Sequence, residues 1–146
     1  MVNLTAGTTY YIDLSQFGAG SGGTLQLSIS EVLAPNLKVT VDGSGNFSKS
    51  GNATVSGTAS CSSGSNASAF ADLRQTVGRI ATISGFGFTA IVCDGTSHPW
   101  SIVVTPFSGL FRGGKAEARV SFSACNSVFI CEFQQVTQEI KLRGKG

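Results

Sequence analysis

Glu117-Ala118-Arg119-Val120-Ser121-Phe122-Ser123-Ala124 decides the fold class, because apolar and polar side chains alternate along it without a break. In an extended chain successive side chains leave opposite faces, so Ala118, Val120, Phe122 and Ala124 share one face, and Glu117, Arg119, Ser121 and Ser123 the other. Such a strand buries one side and wets the other. The same period runs outward in the chain. Leu37, Val39 and Val41 oppose Lys38, Thr40 and Asp42; Ala53, Val55, Ala59 and Cys61 oppose Thr54, Ser56, Thr58 and Ser60; Trp100, Ile102 and Val104 oppose Ser101 and Thr105. Residues 67–76 fit a strand with Ala69, Ala71 and Leu73 together, and helical periodicity is almost missing elsewhere.

Adding the runs at 80–92 and 129–142 makes about seven strands from residue 37 onward. That size and rhythm predict an all-β chain, an immunoglobulin-like antiparallel β-sandwich with an extra N-terminal β-hairpin. Gly85 and Gly87 interleave Phe86 and Phe88, which predicts a bend or bulge where that strand leaves one sheet. In the last run Phe129, Cys131 and Phe133 are odd while Val136, Ile140 and Leu142 are even, which predicts a one-residue bulge near Gln134 and Gln135. Residues 1–34 read as a separate segment. Strands at 8–14 and 24–30 flank a glycine-rich loop, too few to stand alone in water. Pro35 restricts Ala34 and sets a boundary, leaving 35–146 as the main domain.

Only 12% of the 146 residues are charged, about half the usual share, and the net charge is +2. So weak a field excludes nucleic acid as a partner, and Lys141, Arg143 and Lys145 read as a solvated tail. No run is long and apolar enough for a membrane helix, so no membrane insertion is expected. Residues 1–5 carry no basic or apolar leader, so an export signal is expected to have been removed or to lie in a longer parent chain.

Four cysteines, Cys61, Cys93, Cys125 and Cys131, lie at or near strand ends. In such a chain they read as disulfides of a secreted or cell-surface protein. Pairing Cys61 with Cys93 and Cys125 with Cys131 joins strand ends and staples a hairpin, contributing about 3 to 4 and about 2 kcal/mol by loop entropy. Crossed pairings stay open at this point. The spacings are not those of zinc knuckles and one histidine completes no ligand set, so neither metal nor cofactor is expected.

No catalytic residue is assigned. His98 follows Asp94 closely, with Ser97 and Ser101 nearby, but residues so near along one loop do not converge as nucleophile, base and orienter. Asp42-Gly43-Ser44-Gly45-Asn46 spaces oxygen donors like a calcium loop but lacks the distant carboxylate, and reads as a hairpin turn. The eight carboxylates are scattered, with no acid and nucleophile pair in view. Phe86, Phe88, Phe107, Phe111 and Phe122, with Trp100, are candidates for an apolar ligand cleft.

Asn3-Leu4-Thr5-Ala6-Gly7-Thr8-Thr9-Tyr10-Tyr11-Ile12, then Gly23-Thr24-Leu25-Gln26-Leu27-Ser28-Ile29, resembles the closing strands of the bacterial pre-peptidase C-terminal domain. That resemblance implies a multidomain secreted parent. The remainder, from Ser56-Gly57-Thr58-Ala59-Ser60-Cys61 through Val92-Cys93-Asp94-Gly95 to Cys131, resembles immunoglobulin-like domains of secreted bacterial proteins. Its disulfide layout is similar to that of the neocarzinostatin-type apoproteins, which hold a chromophore between their sheets. The expectation is therefore a non-enzymatic structural or adhesion module outside the cell. It would meet protein partners or its own copies by β-strand addition from the N-terminal segment, or contact cell-wall carbohydrate; a small-ligand carrier is the alternative.

Overall fold

The computed structural model describes residues 4–5, 7–13, 26, 28, 33–78, 81–127 and 130–144. The chain divides into two units, 1–31 and 32–146. Within the first, the strand expected at 8–14 does not form over 8–13: the Thr8 amide turns back to the Thr5 carbonyl, and the Tyr10 hydroxyl accepts from the Thr5 amide. The strand expected at 24–30 falls almost wholly outside the described residues.

The second unit is all strand, with no helix among the described residues. In chain order the strands are β1 (Lys38–Val39), β2 (Ser44–Phe47), β3 (Ala53–Ser60), β4 (Asn66–Val77), β5 (Ala81–Ile91), β6 (His98–Pro106), β7 (Gly114–Cys125) and β8 (Cys131–Gly144). Following hydrogen-bonded neighbours from β3 through β6, β5, β4, β7, β8 and β2 leads back to β3. This ring is a closed seven-stranded barrel, and it overturns the immunoglobulin-like sandwich expected from strand count.

The strand that makes the difference is β2. The first three residues of Ser44-Gly45-Asn46-Phe47 belong to the stretch read as a hairpin turn, yet the strand pairs antiparallel with β3 and parallel with β8. Residues 38–42 first run along β3, with the Thr40 and Asp42 amides donating to the Thr58 and Ser56 carbonyls. A bulge around Gly43 then shifts the register from Lys38↔Ser60 to Asn46↔Thr54, and the Gly43 carbonyl accepts from the Lys141 amide. Extra residues of this kind kink a strand and re-aim it. The kink carries the chain across to β8 and closes the ring.

The opposite corner is built differently. β5 pairs along its whole length with β4, but with β6 only at Gly85↔Pro106 and Phe86↔Thr105. Gly85 and Gly87 face inward there, where a Cβ would lie 2.4 Å from the Thr105 carbonyl oxygen and 2.3 Å from that of Val103. The two backbones cross so closely that only glycine fits. The predicted bend is present, as a barrel corner.

Inside, alanines from β4 and β7 (Ala69, Ala71, Ala116, Ala118, Ala124) leave room for Trp100, Phe122 and Phe111. Such alternation of small and large side chains fills a narrow barrel. Trp100 meets Phe122 edge-on at 5.4 Å, and its indole N–H is buried without a hydrogen-bond partner. Phe111 plugs one end, held by Gln75, a buried side chain whose amide bonds both ways to the Arg112 backbone at 2.8 and 2.9 Å.

The bulge expected near Gln134 and Gln135 is absent. β7 and β8 stay in register from Cys125↔Cys131 to Gly114↔Leu142, so the even residues of β8 point inward throughout. Of the three polar ones, Glu132, Gln134 and Gln138, the first two hold another segment: the Glu132 carboxylate accepts from the Leu37 amide at 2.9 Å, and the Gln134 amide donates to the Leu37 carbonyl. Together they replace a missing strand ladder. Pro35, next to this segment, is buried, and its carbonyl accepts from the Ser62 amide.

Candidate functional site

The outer faces of β5, β4, β7 and β8 form one continuous sheet surface, ordered by the ladders that join them. Inward glycines at 85 and 87 put Phe86 and Phe88 outside, since alternate residues take opposite faces. Phe88 lies opposite Phe70 on β4, and Phe86 opposite Asp72. The rings form a cluster, Phe70 to Phe86 at 6.1 Å and Phe70 to Phe88 at 6.3 Å, within the range of favourable aromatic pairs. Phe88 is 70% exposed. Further across, Ser68, Ser121, Ser123 and Gln135 supply hydroxyls and an amide, and Phe133, 73% exposed, stands on β8.

The other end of the face is charged. Arg74 lies opposite Glu117 and Asp72 opposite Arg119, a checkerboard of alternating sign around a depression of about 100 Å³. Among the described residues no salt bridge joins these four; the bridges are Lys115–Glu139 and His98–Asp94, each at 2.8 Å. The hydrogen bond from Lys115 to Glu139, with their attraction, raises the lysine's pKa. A wider shallow hollow of about 500 Å³ lies between Arg74, Lys115 and Glu139.

The six aromatic residues proposed to line a cleft are not brought together. Phe86, Phe88 and Phe107 are exposed, whereas Phe111, Phe122 and Trp100 are buried in the core. The barrel wall separates the two sets. Phe70 and the charged quartet escaped sequence reasoning, because outward positions align only once the β4–β7 register is known. One signal existed: Phe70 is out of phase with Ala69 and Ala71.

All four cysteines are paired, Cys61 with Cys93 and Cys125 with Cys131, the preferred connectivity. Beside the first bridge, Asp94 Oδ1 accepts from the Thr96 amide and hydroxyl at 2.8 and 2.7 Å, while Oδ2 lies 2.8 Å from His98 Nε2. The Thr96 hydroxyl, then its amide, then His98 lower the Asp94 pKa to about 2. Thr96 Oγ1 approaches the same His98 nitrogen at 3.0 Å. A proton relay needs carboxylate and hydroxyl on different ring nitrogens. This cluster is instead a loop staple. The calcium-like stretch is likewise engaged otherwise: Asp42 accepts from the Ser56 hydroxyl at 2.7 Å, and Ser44 to Asn46 lie in β2. Among the described residues no three His, Cys, Asp or Glu side chains cluster to hold a metal ion.

A family model described as a family of unknown function, DUF6299, matches residues 35–143, and the chain belongs to that family. The matched span holds the barrel except Gly144, the last residue of β8, and omits residues 1–34. No curated protein matches the chain.

Proposed function

We propose that the protein is a non-enzymatic module of the cell exterior whose work is contact, made through the outer face of β5, β4, β7 and β8. The observation that carries this reading is the exposed ring cluster of Phe70, Phe86 and Phe88. Contiguous apolar surface of this kind, rimmed by polar side chains, marks interaction sites on soluble proteins. Two disulfides point to an oxidising environment, which fits work outside the cell. The outer residues of β4 and β7 are mostly hydroxyl-bearing or charged and the inner ones apolar, the reverse of a lipid-embedded barrel.

Contact through a face replaces the strand-addition version of this idea. The face is preferred because β4 and β7 are paired on both sides along most of their length, whereas the open edge of β8 before Lys141 is taken up in part by the Leu37 backbone. The carrier reading gains no support, since its six rings lie on two sides of the barrel wall.

The test compares the wild type with the double variant F86S/F88S for retention on cell-wall polysaccharide and on protein-coated surfaces. The variant should bind at least roughly tenfold more weakly. Equal retention of the two overturns the assignment of this face. Turnover in a hydrolase panel that His98→Ala abolishes overturns the non-enzymatic reading.

A further inference from the structure

We infer that the partner of this face is a second copy of the chain, docked about a two-fold axis that runs parallel to the strands between β4 and β7; the inference rests on the contact reading above. The argument is the order of residues on the face. Laid out by register, one row reads Ser84, Arg74, Glu117, Glu139 across β5, β4, β7 and β8. The next reads Phe86, Asp72, Arg119, Thr137; then Phe88, Phe70, Ser121, Gln135; then Ala90, Ser68, Ser123, Phe133.

A two-fold axis of that direction exchanges β4 with β7 and β5 with β8 while keeping each row level. Arg74 then meets the partner's Glu117, and Asp72 meets the partner's Arg119, each twice by symmetry. Every central charge finds its opposite. The outer columns curve away with the barrel wall, and the residues that share a level there, Ser84 with the partner's Glu139 and Phe86 with the partner's Thr137, set no like charges against each other. Phe70, on β4, faces the partner's Ser121, which brings the inner edge of the ring cluster to the contact.

Each side of a two-fold contact must complement itself, and a checkerboard with the sign reversed across the axis does so. Within one chain Arg74 lies opposite Glu117 and Asp72 opposite Arg119, and docking sets a second opposite charge beside each. Four strands about 4.8 Å apart and nine residues long give a patch about 20 Å by about 25 Å. Because the barrel wall is convex, contact is deepest along β4 and β7, and the buried area falls below the about 800 Å² per partner of a standard interface, in the range of weak association.

The experiment is sedimentation equilibrium of the full chain over a wide concentration range, with D72R, with R119D and with an equimolar mixture of the two. The wild type should dimerise, and each variant alone should dimerise at least roughly tenfold more weakly, because each sets like charges against its own copy. The mixture should recover the dimer, since every altered position again meets its opposite. Thermal unfolding of each variant near the wild-type temperature separates lost docking from lost folding, and recovery in the mixture does so independently.

A monomeric wild type throughout, a dimer that neither substitution weakens, or a mixture that stays monomeric overturns the inference. A monomer that still adheres through Phe86 and Phe88 sinks the dimer and leaves the contact reading standing. A dimer without any adhesion to surfaces supports the inference and confines the contact reading to self-association.

Discussion

Two regions of the barrel hold together by different means. In the half made of β5, β4, β7 and β8, ladders run from Val77↔Ala81 to Ala67↔Ile91 and from Gly114↔Leu142 to Cys125↔Cys131, so backbone pairing alone specifies the geometry. At the two corners the pairing is brief: β5 meets β6 at Gly85 and Phe86, and β2 meets β3 at Asn46 and Phe47. There closure depends on glycine at the crossing, on a plug at the end and on a covalent bridge. Long ladders tolerate change because their bonds are many, whereas a corner rests on single atoms.

Substitutions at the corners and ends should therefore cost most. Phe111→Ala removes the plug, 1% exposed, and should lower the stability measured by urea unfolding by about 3 to 5 kcal/mol. A loss below about 1 kcal/mol would show that the long ladders alone define the barrel. Next come the disulfides. C61A/C93A opens a 32-residue separation, bridging the end of β3 to the chain beyond β5, and should cost about 3 to 4 kcal/mol; C125A/C131A opens six residues inside a ladder and should cost about 2. The reverse order in thermal unfolding would break the comparison.

Gly87→Ala places a methyl against the Val103 carbonyl and should cost about 1 to 3 kcal/mol. Its neighbour Phe88, larger but outward, should change stability by no more than about 0.5 kcal/mol when replaced by alanine. One strand thus carries a costly and a tolerated substitution at adjacent positions, and equal effects would refute the inward and outward assignment.

The smallest effect belongs to the Asp94 staple, which is exposed. Its folded pKa of about 2 lies below the ordinary value of about 3.9. The stabilisation is therefore present above about pH 4 and is lost as pH falls through about 2. Asp94→Asn should lower stability slightly at neutral pH and bring variant and wild type together below about pH 2, which flattens the acid limb of the stability profile. An unaltered acid limb would show that the staple does not act on folding.

How much of this was legible follows from the particulars. The inward faces of β3, β4, β6 and β7 can be read from alternation, because burying one side of a strand imposes a period of two whatever the neighbour is. The parity change in the final strand misled, because Glu132 and Gln134 face inward to bond the Leu37 backbone and Phe133 faces out. Polarity there reports a backbone partner far away in the chain. Of the candidate site, Phe86 and Phe88 were singled out, but with companions that lie inside the wall; Phe70, Asp72, Arg74, Glu117 and Arg119 form a surface only through the β4–β7 register.

The amino-acid sequence by itself determined an all-β chain, the buried faces of β3, β4, β6 and β7 and a bend at Gly85 and Gly87, since each follows from local periodicity or from a residue type with one physical use; the disulfide connectivity, preferred from spacing, was decided by the structure. Only the tertiary structure decided that the strands close into a barrel and which outward side chains share a face. Closure hangs on Ser44-Gly45-Asn46-Phe47, whose partners β3 and β8 lie on either side of it. A strand that short has no periodicity of its own, and hydrogen bonding to two distant backbones is a property of the assembled fold.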